Sequence, residues 1–213
     1  MILTDRDEAI LLALTHKVRI LTLLQVAATW WRESARAELA ANRRLRQLSS
    51  MGLVESDFVL ARPFLPLDAP EISWSPGDEI PDFEALAYRL RVRWKSHAFR
   101  STRVYFATRA AVNQFGGYMG GCLDHPNEAT HDLHQAELYL RALRDHPWLA
   151  QGWISESQLA LKSKPFEVLP DAVLRDPDGG DRLMIEFAGI YDAKRLRRLH
   201  DYASARELPY ELW

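Results

Sequence analysis

A single cysteine, Cys122, stands in 213 residues, and that scarcity excludes an intramolecular disulfide framework. No apolar run approaches the roughly 18 residues that a membrane span requires, and no signal-peptide pattern opens the chain. The expected compartment is the cytoplasm, with no membrane partner. Charge of one sign is equally scarce. Lys plus Arg number 27 against 29 Asp plus Glu, for a formal charge of −2, so any hold on nucleic acid must come from local patches and not from bulk attraction. Zinc lacks its usual ligands, because one Cys and seven His form neither a CxxC nor an HExxH pairing. His131 and His134, three apart on a helical stretch, are read as packing residues in preference to a shared metal site. The glycine pairs at 116–117 and 120–121 fit neither GxxxxGK[ST] nor a strand feeding GxGxxG, so a phosphate loop has no support. What remains is 47% hydrophobic and 26% charged, enough for two small domains or one elaborate one.

The first 60 residues predict a three-helix unit followed by a β-hairpin. Thr4, with Asp5 and Asp7 behind it, is a helix start: the hydroxyl caps free amides and the early carboxylates suit the helix dipole. Ile10, Leu11 and Leu14 continue that helix on one face. Thr22 caps a second, ending near Trp30-Trp31. Ser34 opens a third over residues 35–51, stopped by Gly52 at C′. Leu53 to Leu60 alternates as a wing strand would. Three helices and a hairpin are the arrangement of a winged helix-turn-helix, whose third helix enters the major groove. On that helix Ala41, Leu45 and Leu48 face inward; Arg36, Arg43 and Gln47 face outward, with Arg46 and Ser50 at the edge and Arg44 in the same basic patch. Arg and Gln read guanine and adenine edges bidentately, and Arg neutralises phosphate. Arg36, Arg43, Arg44, Arg46 and Gln47 are therefore the candidate DNA-binding residues.

Proline at 63, 66 and 70 and Pro76-Gly77-Asp78 break the chain into a connector with one short strand around Ile72-Ser73-Trp74. A helix over 82–94 follows, with Leu86, Leu90 and Trp94 on one stripe, and Arg89, Arg91, Arg93, Lys95, Arg100 and Arg103 add positive charge that a nucleic-acid backbone could follow. Val104 to Thr108 is a strand leading into a short helix.

The last third carries Pro170-Asp171 and then Leu183-Met184-Ile185-Glu186-Phe187-Ala188. Asp176-Pro177-Asp178-Gly179-Gly180-Asp181 is a hairpin signal between the two runs, which sets Asp171 beside Glu186. Two such carboxylates suit Mg²⁺, a hard ion that prefers oxygen. A lysine two residues beyond the glutamate would complete a metal-dependent nuclease site, but position 188 is alanine. A helix over 128–144, a strand over 151–154, the two hairpin strands, a basic helix over 192–206 and a strand over 209–213 make the series αβββαβ. That series resembles the core of the PD-(D/E)XK nuclease-like fold. The resemblance implies Glu137 as an additional acidic ligand and Lys194 as a stand-in for the missing lysine. The metal-site candidates are thus Glu137, Asp171 and Glu186, and the catalytic ones Asp171, Glu186 and Lys194 if the site is active.

Across nearly the whole chain, the order of Arg43-Arg44-Leu45-Arg46-Gln47-Leu48, Val104-Tyr105-Phe106-Ala107-Thr108, His131-Asp132-Leu133 to Glu137-Leu138-Tyr139, Pro170-Asp171-Ala172 and Ile185-Glu186 is similar to the replication-relaxation family of plasmids and other mobile elements. The family typically follows its strand glutamate with a second acid and an arginine, whereas Phe187, Ala188 and Gly189 stand here. The expectation is an α+β or α/β chain with a winged helix over 1–75, a connecting region over 76–125 and a PD-(D/E)XK-like domain over 126–213. Its expected function is that of a DNA-binding accessory or regulatory protein in replication or mobilisation, with an inactive nuclease-like domain. Double-stranded DNA is the expected partner, with a homodimer and replication or mobilisation proteins as further ones. A Mg²⁺-dependent endonuclease and a protein-interaction module are the competing readings.

Overall fold

A computed structural model describes residues 2–120, 128–164 and 167–213; Cys122 and Gly121 lie outside the described residues. The chain is a mixed α+β protein with two sheets, and the caps of its first two α-helices fall where the sequence places them. Thr4 and Asp7 form a reciprocal capping box on α1 (Asp5–Leu12), and Thr22 and Gln25 form another on α2 (Leu23–Trp30). α1 runs on into a π-helical turn, Ala13–Lys17. The third helix, α3 (Ala37–Ser50), starts two residues later than the sequence suggests. Arg36 occupies its N-cap without a side-chain capping bond, and Ser34 instead accepts from the Arg36 amide at 3.2 Å. Gly52 follows the helix at φ +70°, a left-handed position that glycine takes without steric cost.

Residues 2–64 and 99–147 form one compact unit, and residues 65–98 and 148–213 form the other. This interleaving replaces the expected division at residues 75 and 125. In the first unit β1 (Leu21–Thr22), β2 (Val54–Ala61) and β4 (Arg100–Ala107) make a three-stranded sheet in the order β1-β4-β2, antiparallel throughout. The hairpin expected after α3 is therefore not formed: β2 pairs with β4, about 40 residues on, and the next strand in the chain, β3 (Ile72–Trp74), joins the other sheet, because burial against α6 selects the distant strand. α5 (Arg109–Phe115) follows β4, capped by Thr108. α6 (Ala129–Asp145), expected to open the C-terminal domain, belongs to the first unit. Ala129 and Leu133 bury themselves with Ile20, Val59, Ala61, Val104 and Phe106, and burial of that apolar face outweighs proximity in sequence.

The second unit holds a five-stranded sheet in the order β3-β8-β7-β6-β5. α4 (Phe83–Val92), capped by Asp82, precedes it, and α7 (Pro147–Gln151) leads into β5 (Trp153–Ser155) and α8 (Glu156–Ala160). β5, β6 (Ala172–Arg175) and β7 (Asp181–Glu186) pair antiparallel in that order, α8 standing between β5 and β6 and the Asp176–Gly180 turn joining β6 to β7. α9 (Ala193–Ser204) then returns the chain to β8 (Tyr210–Leu212), parallel to β7, and β3 closes the edge. Val173, Met184 and Ala188 meet Leu86 and Leu90 of α4 and Leu196 and Leu199 of α9 in the core of this unit. The Leu86 and Leu90 stripe is therefore core. Arg93, expected to offer charge to a nucleic-acid backbone, is instead a structural tie. Its guanidinium donates to the carbonyls of Ala188 at 2.6 Å and Trp213 at 3.0 Å, pairs with Glu71 at 3.3 Å and lies over the Phe187 ring.

Candidate functional site

The outer face of α3 presents Leu39, Asn42, Arg43, Arg46, Gln47 and Ser50 around one shallow depression. Their spacing of three and four residues makes them a single stripe. It lies opposite buried Ala41, Leu45 and Leu48. Arg43 and Arg46 are exposed, and so is Arg36 at the helix entrance. Asn42, absent from the candidates that the sequence suggests, lines the same depression as the two arginines and is an adenine-reading side chain by the same donor and acceptor logic as Gln47. The signal for it was available: it follows Leu39 by three and precedes Arg46 by four.

Arg44 departs from expectation. Its Nε donates to Asp7 Oδ1 at 2.6 Å, a second guanidinium nitrogen bonds Asp7 Oδ2, and a third contact reaches Gln47 Oε1 at 2.9 Å. Asp7 is fully buried. Burial pushes the Asp7 carboxyl up, but the bonds from Arg44 and Thr4 more than offset this and hold it below the usual carboxylate range. Arg44 therefore ties α3 to α1 and orients Gln47; it is not part of the outward basic face.

The acids of the second unit meet as the hairpin implies. Ala172 pairs with Ile185 at the end of the ladder, and one residue further Asp171 and Glu186 offer carboxylate oxygens within 4.8 Å of each other. Both are buried, Asp171 at 5% and Glu186 at 1% exposure. They share a face with Val173 and Met184, whose side chains contact the helices of the unit. Each carboxylate caps the opposite strand: the Asp171 amide donates to Glu186 Oε2 at 2.9 Å, and the Phe187 amide donates to Asp171 Oδ2 at 2.7 Å. Side chains thus continue the pairing where the backbone ladder stops. The other Glu186 oxygen accepts from the Tyr191 hydroxyl at 2.7 Å. Arg195 donates to the same hydroxyl at 2.8 Å, stacks over the Tyr191 ring and approaches Glu186 Oε1 to 3.9 Å. Burial pushes the Tyr191 phenol well above its ordinary range, with the Glu186 and Asp171 charges adding to the shift against Arg195, so it stays a proton donor.

Two expected members are placed otherwise. Glu137 lies in the first unit, where Arg144 at 2.7 Å and Gln25 at 3.2 Å engage its carboxylate. On α9 the cation that reaches Glu186 is Arg195; Lys194 is exposed. Tyr191 was not singled out from sequence, and Arg195 stood there only as one of the cations Lys194, Arg195, Arg197 and Arg198 of the basic helix, although the i, i+4 spacing of Tyr191 and Arg195 was a signal. The missing lysine also has a physical cause. Ala188 is fully buried against Leu196 and Leu199, and an ammonium there would be desolvated within apolar surroundings. Of the histidines, His134 is fully buried with its Nδ1 2.6 Å from the Thr130 carbonyl, and His131 leans toward Asp132. No helix among the described residues is long and apolar enough to cross a membrane.

As a donor set for Mg²⁺, the pair is a poor fit. Its carboxylates already receive two backbone amides and a hydroxyl, and a guanidinium stands against Glu186, supplying positive charge of its own. The arrangement is that of a brace: it closes the β6–β7 end and anchors the start of α9. Comparison with models of known families, with curated proteins and with solved structures finds no match to this chain.

Proposed function

We propose that this protein binds double-stranded DNA through the outer face of α3, and that its acid pair is a structural remnant of a nuclease-like fold. In this reading the first unit is a winged helix. The succession helix, strand, helix, helix, strand, strand with the sheet order β1-β4-β2 supports it, as does a 14-residue α3 whose exposed side is cationic and amide-bearing. The second unit is read as PD-(D/E)XK-like, supported by the antiparallel β5-β6-β7 set, the α9 crossover and the parallel β7–β8 pair. A role as an accessory or regulatory protein of a plasmid or other mobile element, akin to the replication-relaxation family, is part of the proposal and rests on the order of motifs. The single observation that carries the DNA reading is the stripe of Asn42, Arg43, Arg46 and Gln47.

Duplex affinity, read by fluorescence anisotropy on a labelled fragment library, is expected to fall more than tenfold at physiological salt in Arg43→Ala with Arg46→Ala. The slope of log K against log salt should drop by about 2 in the double variant, near 0.9 for each phosphate that an arginine no longer neutralises. Unchanged binding and slope would refute the reading. Failure of the wild type to bind any duplex would move the face toward a protein partner.

One observation favours a second reading, a Mg²⁺-dependent endonuclease: the two carboxylates do converge within 4.8 Å. Under that reading supercoiled plasmid is nicked only with Mg²⁺ or Mn²⁺, and Glu186→Gln abolishes nicking while circular dichroism stays native. The proposal made here expects no nicking by either protein.

A further inference from the structure

One face of the β2–β4 ribbon is only half covered. Register pairs Val54 with Ala107, Ser56 with Tyr105, Phe58 with Arg103 and Leu60 with Ser101 on that face. Toward the helices Val54, Tyr105 and Ala107 are buried, but outward Phe58 is 60% and Leu60 64% exposed. Just past Ala61–Arg100, the last pair of the ladder, the pattern recurs: Arg62 lies over the ring of Phe99, 4.5 Å from its centroid, and Phe99 is 54% exposed. Arg103 lies over Phe58 in the same way at 5.0 Å. The two couples are inverted, with the aromatic on β2 in one and beside β4 in the other, and are separated by four residues, about 13 Å along a strand. The strand residues of this face include no carboxylate; Glu55 and Asp57, whose register partners are Phe106 and Val104, point to the other side.

Exposed aromatics that each carry a guanidinium are what unpaired bases and their phosphates need: stacking is tolerant of sequence, and arginine adds both cation–π and phosphate contact. We infer that the outer end of the β2–β4 ribbon is a stacking platform for single-stranded nucleic acid, holding one base on Phe58 and a second on Phe99. The arginine over each ring is what selects a polyanion in preference to an apolar polypeptide. This goes beyond the duplex contact by α3 and uses none of its residues.

The probe is a labelled oligo-dT of about 12 nucleotides, within the span such platforms cover, titrated alongside a duplex. Phe58→Ala with Phe99→Ala is expected to lower oligo-dT affinity at least thirtyfold and to leave duplex affinity within twofold. Phe58→Trp should retain oligo-dT binding, and Arg43→Ala with Arg46→Ala should lower duplex binding more than it lowers oligo-dT binding. Both aromatics are exposed, so the alanine variants should keep the wild-type melting curve. Undetectable oligo-dT binding by the wild type in 50 mM salt, or unchanged binding in the double alanine variant, overturns the inference. Loss of a wild-type dimer in that variant with oligo-dT binding intact, read by sedimentation, also overturns it and assigns the face to a second copy.

Discussion

Replacing Glu186 by alanine is expected to destabilise the protein by about 4 kcal/mol, a shift of roughly 2 M in the urea midpoint. The side chain is 1% exposed, and truncating it strands two buried donors, the Asp171 amide and the Tyr191 hydroxyl. Each unpaired buried donor costs about 1–3 kcal/mol, and the vacated volume adds a cavity term. Glu186→Gln should cost less than half as much, since an amide of the same shape still offers an acceptor to one donor. The sign of the alanine result separates brace from catalyst. Two carboxylates held close for a metal repel each other when no ion is bound, so removing one from such a site relieves strain and raises stability, as often happens when activity is traded away. Midpoints for both variants at pH 7, with EDTA and with Mg²⁺, decide it: a stabilised Glu186→Ala, or a wild type markedly stabilised by Mg²⁺, would contradict the brace.

Asp7→Ala is expected to cost about 4 kcal/mol in the same assay. The fully buried carboxylate serves the Thr4 capping box and both sides of the Arg44 guanidinium. Its loss leaves a mostly covered cation, 16% exposed, without its partner, and breaking such a pair typically costs 3–5 kcal/mol. A pH signature accompanies it. The folded carboxyl titrates below its ordinary value of 3.8, so the stability this group contributes is present above that value and is lost as pH falls through the lower, folded one. Wild type should therefore lose stability more steeply below about pH 4 than Asp7→Asn does; parallel pH profiles for the two would contradict this account. Because Arg44 also meets Gln47, Asp7→Ala should weaken duplex binding less than Arg43→Ala with Arg46→Ala at temperatures where the fold persists.

Local chemistry was the legible part of the fold. Capping by Thr4 and Thr22, the stop at Gly52, the short strand Ile72–Trp74, the helix behind Asp82 and the Asp176–Gly180 turn all follow from side chains acting on backbone within a few residues. The meeting of Asp171 and Glu186 was legible for the same reason, because a tight turn sets the register of the strands it joins. The pairing of β2 with β4 was not. Another sheet's strand lies between them in sequence, and nothing in either strand names its partner. On α6 the spacing of Leu133, Ala136 and Leu140 makes one apolar face, and all three are buried, but spacing does not name the surface that covers them.

Arginine illustrates the same boundary. Arg43, Arg44, Arg93 and Arg195 look alike in a sequence, yet Arg43 is exposed, Arg44 holds a buried aspartate, Arg93 ties carbonyls and Arg195 guards a tyrosine. Periodicity and capping act over a turn or two and are written into neighbouring residues, so helices, turns and the acid pair were readable from order alone. Which strand pairs with which, which unit claims α6 and which cations are buried depend on contacts between distant segments. Those were settled only when apolar faces competed for one another in the folded chain, since burial rewards area wherever it comes from.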